Sequence, residues 1–204
     1  MAPAECNNCH RSTDIACPQS VNAVQNPDLK ARVKDGSLFV WECPYCGRHN
    51  LAKYPLLYHD PQQKLMVWLL PDGNPLPQAA LEAARALEGY TLRRVREVGE
   101  LIEKVNLFDA GLDDRVLEMC KWVTCRELSA KNPAVQDAPL KFMRLEGADH
   151  DLVLAFPLDG QMQVVNVGFN VYEDARGILT RNPSIQTAEG FAEVNAAWIA
   201  QFFR

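Results

Sequence analysis

Two cysteine pairs, Cys6-Asn7-Asn8-Cys9 and Cys43-Pro44-Tyr45-Cys46, are the residues whose spacing best suits chemistry. A C-x-x-C turn lets two thiolates point at one cation, and its backbone amides face the sulfurs. Two such turns supply the four ligands of a closed tetrahedral zinc site. Gly47 follows the second pair, where a positive φ closes the turn without steric cost. His10 stands in the corresponding place after the first pair. With no ligand position left open, the expectation is one structural Zn2+ ion held by Cys6, Cys9, Cys43 and Cys46.

The remaining cysteines support this reading. There are seven in all, and the odd number argues against a closed disulfide framework. No basic segment followed by an apolar run opens the chain, so no leader is expected. Leu65–Leu70 is far too short to cross a bilayer, so no membrane association is expected. The expectation is then a cytoplasmic protein with reduced thiols, and in that setting paired C-x-x-C turns point to metal. A redox dithiol and an iron–sulfur cluster are the alternatives. A redox pair is usually a single C-x-x-C beside a βαβ unit, whereas these two pairs flank a strand. The pairs are 33 residues apart, a long span for such a site. Doubling a loop adds only about 0.6 kcal/mol to its closure, so length is no obstacle.

The elements that must position the cysteines can be read from pattern. Ile15–Ala23 reads as a strand. Asn26-Pro27-Asp28 reads as a helix start, with Asn26 as cap and Pro27 at the first helical position, and Gly36 stops that helix. Leu38–Glu42 is rich in strand formers and leads into Cys43. Tyr54–His59 and Leu65–Leu70 form a hairpin about Asp60-Pro61-Gln62-Gln63. Pro71–Pro77, with three prolines and a glycine, reads as a linker. Beyond it the pattern predicts a helix over Gln78–Glu88, a short strand over Thr91–Val95, and two helices whose apolar faces are Val98/Leu101/Ile102/Val105 and Leu112/Val116/Met119/Cys120/Val123. Leu140–Leu145, Leu152–Phe156 and Met162–Phe169 predict an antiparallel β-meander. Helices are expected over Val171–Leu179 and Ala188–Phe203.

With the motifs in place, a resemblance emerges. Val21-Asn22, Asn26-Pro27-Asp28-Leu29-Lys30, Asp35-Gly36-Ser37-Leu38-Phe39, Cys43-Pro44-Tyr45-Cys46-Gly47 and Tyr54-Pro55-Leu56-Leu57-Tyr58-His59-Asp60-Pro61 together resemble the CpXC domain family of bacterial proteins. Arg93-Arg94-Val95, Glu100–Lys104 and Gly111-Leu112-Asp113-Asp114 are similar to the segment C-terminal to the ribbon in that family. The resemblance covers about residues 6–128. It implies a bacterial cytoplasmic protein with a metal-binding ribbon, and it implies no reaction. The first pair departs from the family's Cys-Pro-x-Cys pattern.

The expected fold is therefore α+β: a CpXC-type zinc ribbon with an inserted helix over residues 1–70, a linker at 71–77, and an α+β domain over 78–204 that combines mixed helices with the β-meander.

Function divides three ways. The leading reading is a non-enzymatic module for a protein partner or for self-association, since Trp41, Tyr45, Tyr54, Tyr58 and Trp68 lie near the metal turns. Nucleic acid is the alternative, through Arg48, Lys53 and Lys64. Residues 1–70 hold seven Lys/Arg against six Asp/Glu, and the whole chain carries −5, so the concentrated basic patch of a nucleic-acid binder is missing. The third reading is an enzyme built on His59, with Asp60, or on the turn Asp149-His150-Asp151. A turn cap at Asp60 and a solvated turn at Asp149–Asp151 are the plainer roles. Arg93, Arg94 and Arg96 read as one exposed face of a strand, and Cys120 as a core residue.

Overall fold

A computed structural model describes residues 1–136 and 138–203. The chain is mixed α and β with several small sheets. It forms two compact units, residues 1–102 and 103–204.

In the first unit the elements run β1 (Ala2–Glu5), β2 (Ser12–Ile15), β3 (Ser20–Asn22), α1 (Pro27–Lys34), β4 (Val40–Glu42), β5 (His49–Leu51), β6 (Leu56–Asp60), β7 (Leu65–Leu69), α2 (Gln78–Ala84), β8 (Thr91–Val95) and the start of α3 (Val98–Asp109). Strands β1 and β2 form one antiparallel hairpin, and β4 and β5 another. Pro18 has no N–H to give a ladder, and the stretch expected as one strand divides around it into β2 and β3. A single 3-10 turn, Ser37–Phe39, likewise takes the start of the expected Leu38–Glu42 strand.

Helix α1 begins at Pro27 as expected, but the Asn26 side chain does not cap it. Asn22 Oδ1 closes the turn ahead of the helix, accepting from the amides of Val24 and Gln25, both at 3.1 Å. Gly36, at φ +79°, turns the chain out of the helix. A Cβ there would lie 3.3 Å from Ile102 Cδ1.

The four-stranded sheet has the order β3-β6-β7-β8. Strand β3 runs parallel to β6, β6 antiparallel to β7, and β7 parallel to β8. Strand β8 lies beyond residues 71–77 in sequence, so the sheet draws on both sides of that segment. Alternation buries Val21, Leu56, Tyr58, Leu65, Val67, Leu69 and Val95 on one face. Adjacent strand residues point to opposite faces, and so Arg93 is buried while Arg94 is half-buried on the other side. The three arginines therefore do not make one exposed face, which corrects the sequence expectation.

The second unit continues α3 with α4 (Asp114–Lys131), β9 (Lys141–Glu146), β10 (Asp151–Leu158), β11 (Gln161–Val167), α5 (Phe169–Arg181) and α6 (Ala196–Ala200). The expected meander is present, in the order β11-β10-β9. Leu107, Leu117, Met119, Phe142, Leu152, Leu154, Phe156, Tyr172 and Ile199 share its core. Asp113 caps α4, accepting from the Arg115 amide at 2.9 Å. The expected C-terminal helix shrinks to α6. Asn195 starts it, accepting from the Trp198 amide at 3.0 Å. Ala192 and Val194 reach the core from non-helical chain, where the Val194 carbonyl accepts from Lys104 Nζ at 2.7 Å.

That contact belongs to a buried ionic group the sequence pattern did not reveal. Lys104 pairs with Asp114 at 2.7 Å. Lys121 pairs with Glu103 at 2.9 Å and Glu118 at 2.7 Å. Glu103 also accepts from the Phe142 amide at 2.7 Å and lies 3.5 Å from Lys141. Opposite charges at close range, with backbone partners for Lys104 and Glu103, work against the desolvation of these ions.

Among the described residues, no helix is long and apolar enough to cross a membrane.

Candidate metal centre

The hairpins β1–β2 and β4–β5 end in loops of the same build. Cys6-Asn7-Asn8-Cys9-His10-Arg11 links Glu5 to Ser12, and Cys43-Pro44-Tyr45-Cys46-Gly47-Arg48 links Glu42 to His49, the last paired residues of each ladder. In the first loop the Cys6 amide donates to the Arg11 carbonyl at 3.0 Å and the His10 amide to the Cys6 carbonyl at 3.0 Å. In the second, Cys43 donates to Arg48 and Gly47 to Cys43, both at 2.9 Å. His10 takes φ +56° where Gly47 takes +69°. The histidine thus adopts the left-handed turn that the glycine adopts, which answers the irregularity of the first pair.

The four sulfurs meet. Their Sγ atoms lie within 4.8 Å of one another, with Cys6–Cys46 at 3.7 Å and Cys9–Cys43 at 3.6 Å. All are free thiols, and each close contact joins one loop to the other. Among the described residues this is the one group of three or more histidine, cysteine or acidic side chains arranged to hold a metal ion.

The surrounding donors favour the thiolate at Cys6 and at Cys46. The amides of Cys9 and Asn8 and the side chain of Asn50 draw the Cys6 thiol down to about 6, against the opposing effect of burial. The Arg48 amide and the Asn8 side chain, at 3.6 Å, lower Cys46. At Cys9 the Arg11 amide lowers the thiol, but burial and the neighbouring sulfurs outweigh it and push it up to about 11. Four thiolates so close would repel one another, and a dication would relieve that repulsion.

Asn50 joins the loops from below. It is buried on β5, its Oδ1 accepts from the Asn7 amide at 2.9 Å, and its Nδ2 donates to the Arg48 carbonyl at 2.8 Å and to Cys6 Sγ at 3.6 Å. Sequence reading missed both Asn8 and Asn50. The signal for Asn50 was an amide in the middle of a short strand, where such residues are depleted. Replacing it with alanine is expected to cost about 1–3 kcal/mol, because the Asn7 amide loses its partner. Hydrogen exchange at Asn7 would show it as faster opening of the first loop. Above the loops, the Arg11 guanidinium lies over the Tyr45 ring, 5.1 Å from its centroid.

None of the other candidates belongs to this cluster. His59 Nε2 is 3.3 Å from the Tyr90 hydroxyl. Asp60 accepts from the Gln62 and Gln63 amides at 3.1 and 3.2 Å and pairs with Lys30 at 3.0 Å, the geometry of a turn cap. Asp149 and His150 are exposed in the β9–β10 turn, and Asp151 opens β10. Of the basic residues named for nucleic acid, Lys53 lies 3.6 Å from Glu97. Cys120 is buried in the core, where burial pushes its thiol up to about 12.

Comparison with protein families matches residues 4–121, more than half the chain, to the family described as CpXC protein. No curated protein and no solved structure matches.

Proposed function

The chain belongs to the CpXC family, and from that premise we propose that Cys6, Cys9, Cys43 and Cys46 hold one structural Zn2+ ion in a two-hairpin zinc ribbon. We read the ribbon as a non-enzymatic protein-interaction module of a cytoplasmic protein. The sulfur spacing carries the metal assignment. A tetrahedron with Zn–S bonds of about 2.3 Å has edges of about 3.8 Å. The two sulfur–sulfur contacts between the loops, 3.6 and 3.7 Å, lie near that value, whereas a disulfide bond is about 2.05 Å long. Four thiolates complete the coordination shell, and the ion's role is to brace the hairpins.

The surface of the second hairpin supports the interaction reading. Val40 and Leu51 are cross-strand partners, 48% and 50% exposed, and Tyr45 at the loop tip is 54% exposed. A two-stranded hairpin is marginal alone. Bracing by the metal lets it present apolar side chains at a low ordering cost to a partner protein.

The test compares zinc-loaded wild type with a Val40→Asp/Leu51→Asp variant as baits in an extract of the host. We expect proteins retained by wild type to be lost from the variant while its zinc content stays at one ion per chain. An unchanged set of retained proteins would refute the interaction reading and leave the metal assignment standing.

A further inference from the structure

The two edges of the meander in the second unit are built differently. Edge strand β9 carries Lys141, Arg144 and Glu146, and a register shift between Val153 and Leu154 of β10 leaves Met143 bulged. Charges and bulges are the usual protection of an open sheet edge against further pairing. Edge strand β11, Gln161-Met162-Gln163-Val164-Val165-Asn166-Val167, has neither. It holds no charge and no proline, and its ladder with β10 runs from Gln161 to Val167 without a register shift. Among the described residues, no backbone hydrogen bond joins Gln161–Val167 to any element other than β10. Gln163, Val165 and Val167 turn toward the core side, and Met162 and Val164 toward the other, where they are 63% and 62% exposed.

We propose that β11 pairs with β11 of a second copy of this chain, antiparallel about a two-fold axis, making one six-stranded sheet from two meanders. Backbone complementarity calls for a strand, because only a strand meets the row of outward amides and carbonyls. A second copy supplies a strand of the same length that is likewise uncharged. The chain carries −5, so two copies repel over most of their surfaces. An uncharged edge adds nothing to that repulsion where it meets its own copy. A pairing centred on Val164 sets Gln161 opposite Val167 and Met162 opposite Asn166 of the second copy, with no like charges facing. It also joins Met162 and Val164 of both copies into one apolar stripe. Such an interface is isologous, and it closes at two copies. It lies outside residues 4–121 and does not depend on the metal reading.

Sedimentation equilibrium over a range of concentrations tests the proposal on the full chain, together with hydrogen exchange across residues 159–168. The expected mass rises from 22.9 kDa toward twice that value, and protection of the β11 amides rises with it. Val164→Lys sets two ammonium groups opposite each other and is expected to weaken the dimer about tenfold or more. The site is exposed, so the fold and zinc content of this variant should be unchanged. Mixing Val164→Lys with Val164→Glu is expected to restore pairing as a heterodimer. A monomer at all concentrations up to about millimolar would overturn the proposal. So would a dimer indifferent to Val164→Lys, or β11 protection that appears only when another protein is added.

Discussion

Lys121→Met is expected to destabilise the second unit by about 3–5 kcal/mol, the usual cost of removing one partner from a buried ion pair. Lys121 is the only cation within ion-pair distance of Glu118 among the described residues, and it also serves Glu103. Methionine would fill much of the volume but strand Glu118 in the core. Burial already raises the Glu118 carboxyl above its ordinary value, despite Lys121 and Lys104. Hydrogen exchange at the β10 amides, which report opening of this unit, is the measurement. Adding Glu118→Gln to Lys121→Met should recover part of the loss, because the stranded charge is then gone. If Lys121→Met left the exchange unchanged, the ionic group would not be holding α3, α4 and β9 together.

The same group has a pH consequence. At Glu103 burial opposes ionisation, but Lys121, Lys141 and Lys104 outweigh it and hold the carboxyl below its ordinary 4.5. A depressed carboxyl stabilises the fold above 4.5, and that contribution is lost as pH falls through the folded value. Glu118 acts in the opposite sense: its raised carboxyl favours the folded state at lower pH, and that preference disappears as pH rises through its folded value. Acid unfolding below about pH 4.5 is therefore expected to lose its Glu103 component in Glu103→Gln.

The second large effect is at the metal centre. Cys43→Ser is expected to abolish metal binding and to release both hairpins. Structural zinc sites bind with about 10–16 kcal/mol at neutral pH, and on the proposed assignment the hairpins draw their order from that binding. The sheet β3-β6-β7-β8 has its own apolar face through Leu56, Tyr58, Leu65, Val67 and Leu69, so it should remain. Exchange should then rise sharply at β1, β2, β4 and β5 and little at β6 and β7. Cys17→Ser is the control, since Cys17 lies outside the cluster. Cys6→Ser should behave as Cys43→Ser does, because sulfur contacts of 3.6 and 3.7 Å join one loop to the other.

These cysteines were legible because their signal is local. A C-x-x-C turn carries its geometry in six residues, and the two loops share the positive φ, at His10 in one and Gly47 in the other. The meander was legible for the same reason, through alternation and short turns. Non-local features were not. No short-range pattern tells β8 to pair in parallel with β7 across more than twenty residues. Helical spacing at Phe191 and Val194 served a buried irregular segment ahead of α6, because the Val194 carbonyl is committed to Lys104. Asn50 matters only because folding brings Asn7 and Cys6 to it. Glu103, Glu118 and Lys121 look like ordinary helix-surface charges, and only packing shows that they compensate one another inside the unit.

Zinc K-edge X-ray absorption on the purified, reduced protein tests the central claim most directly. Four sulfur scatterers at about 2.3 Å, with one zinc per chain, are the predicted result. A shell dominated by oxygen or nitrogen, or a folded protein that holds its hairpins with no metal bound, would contradict it.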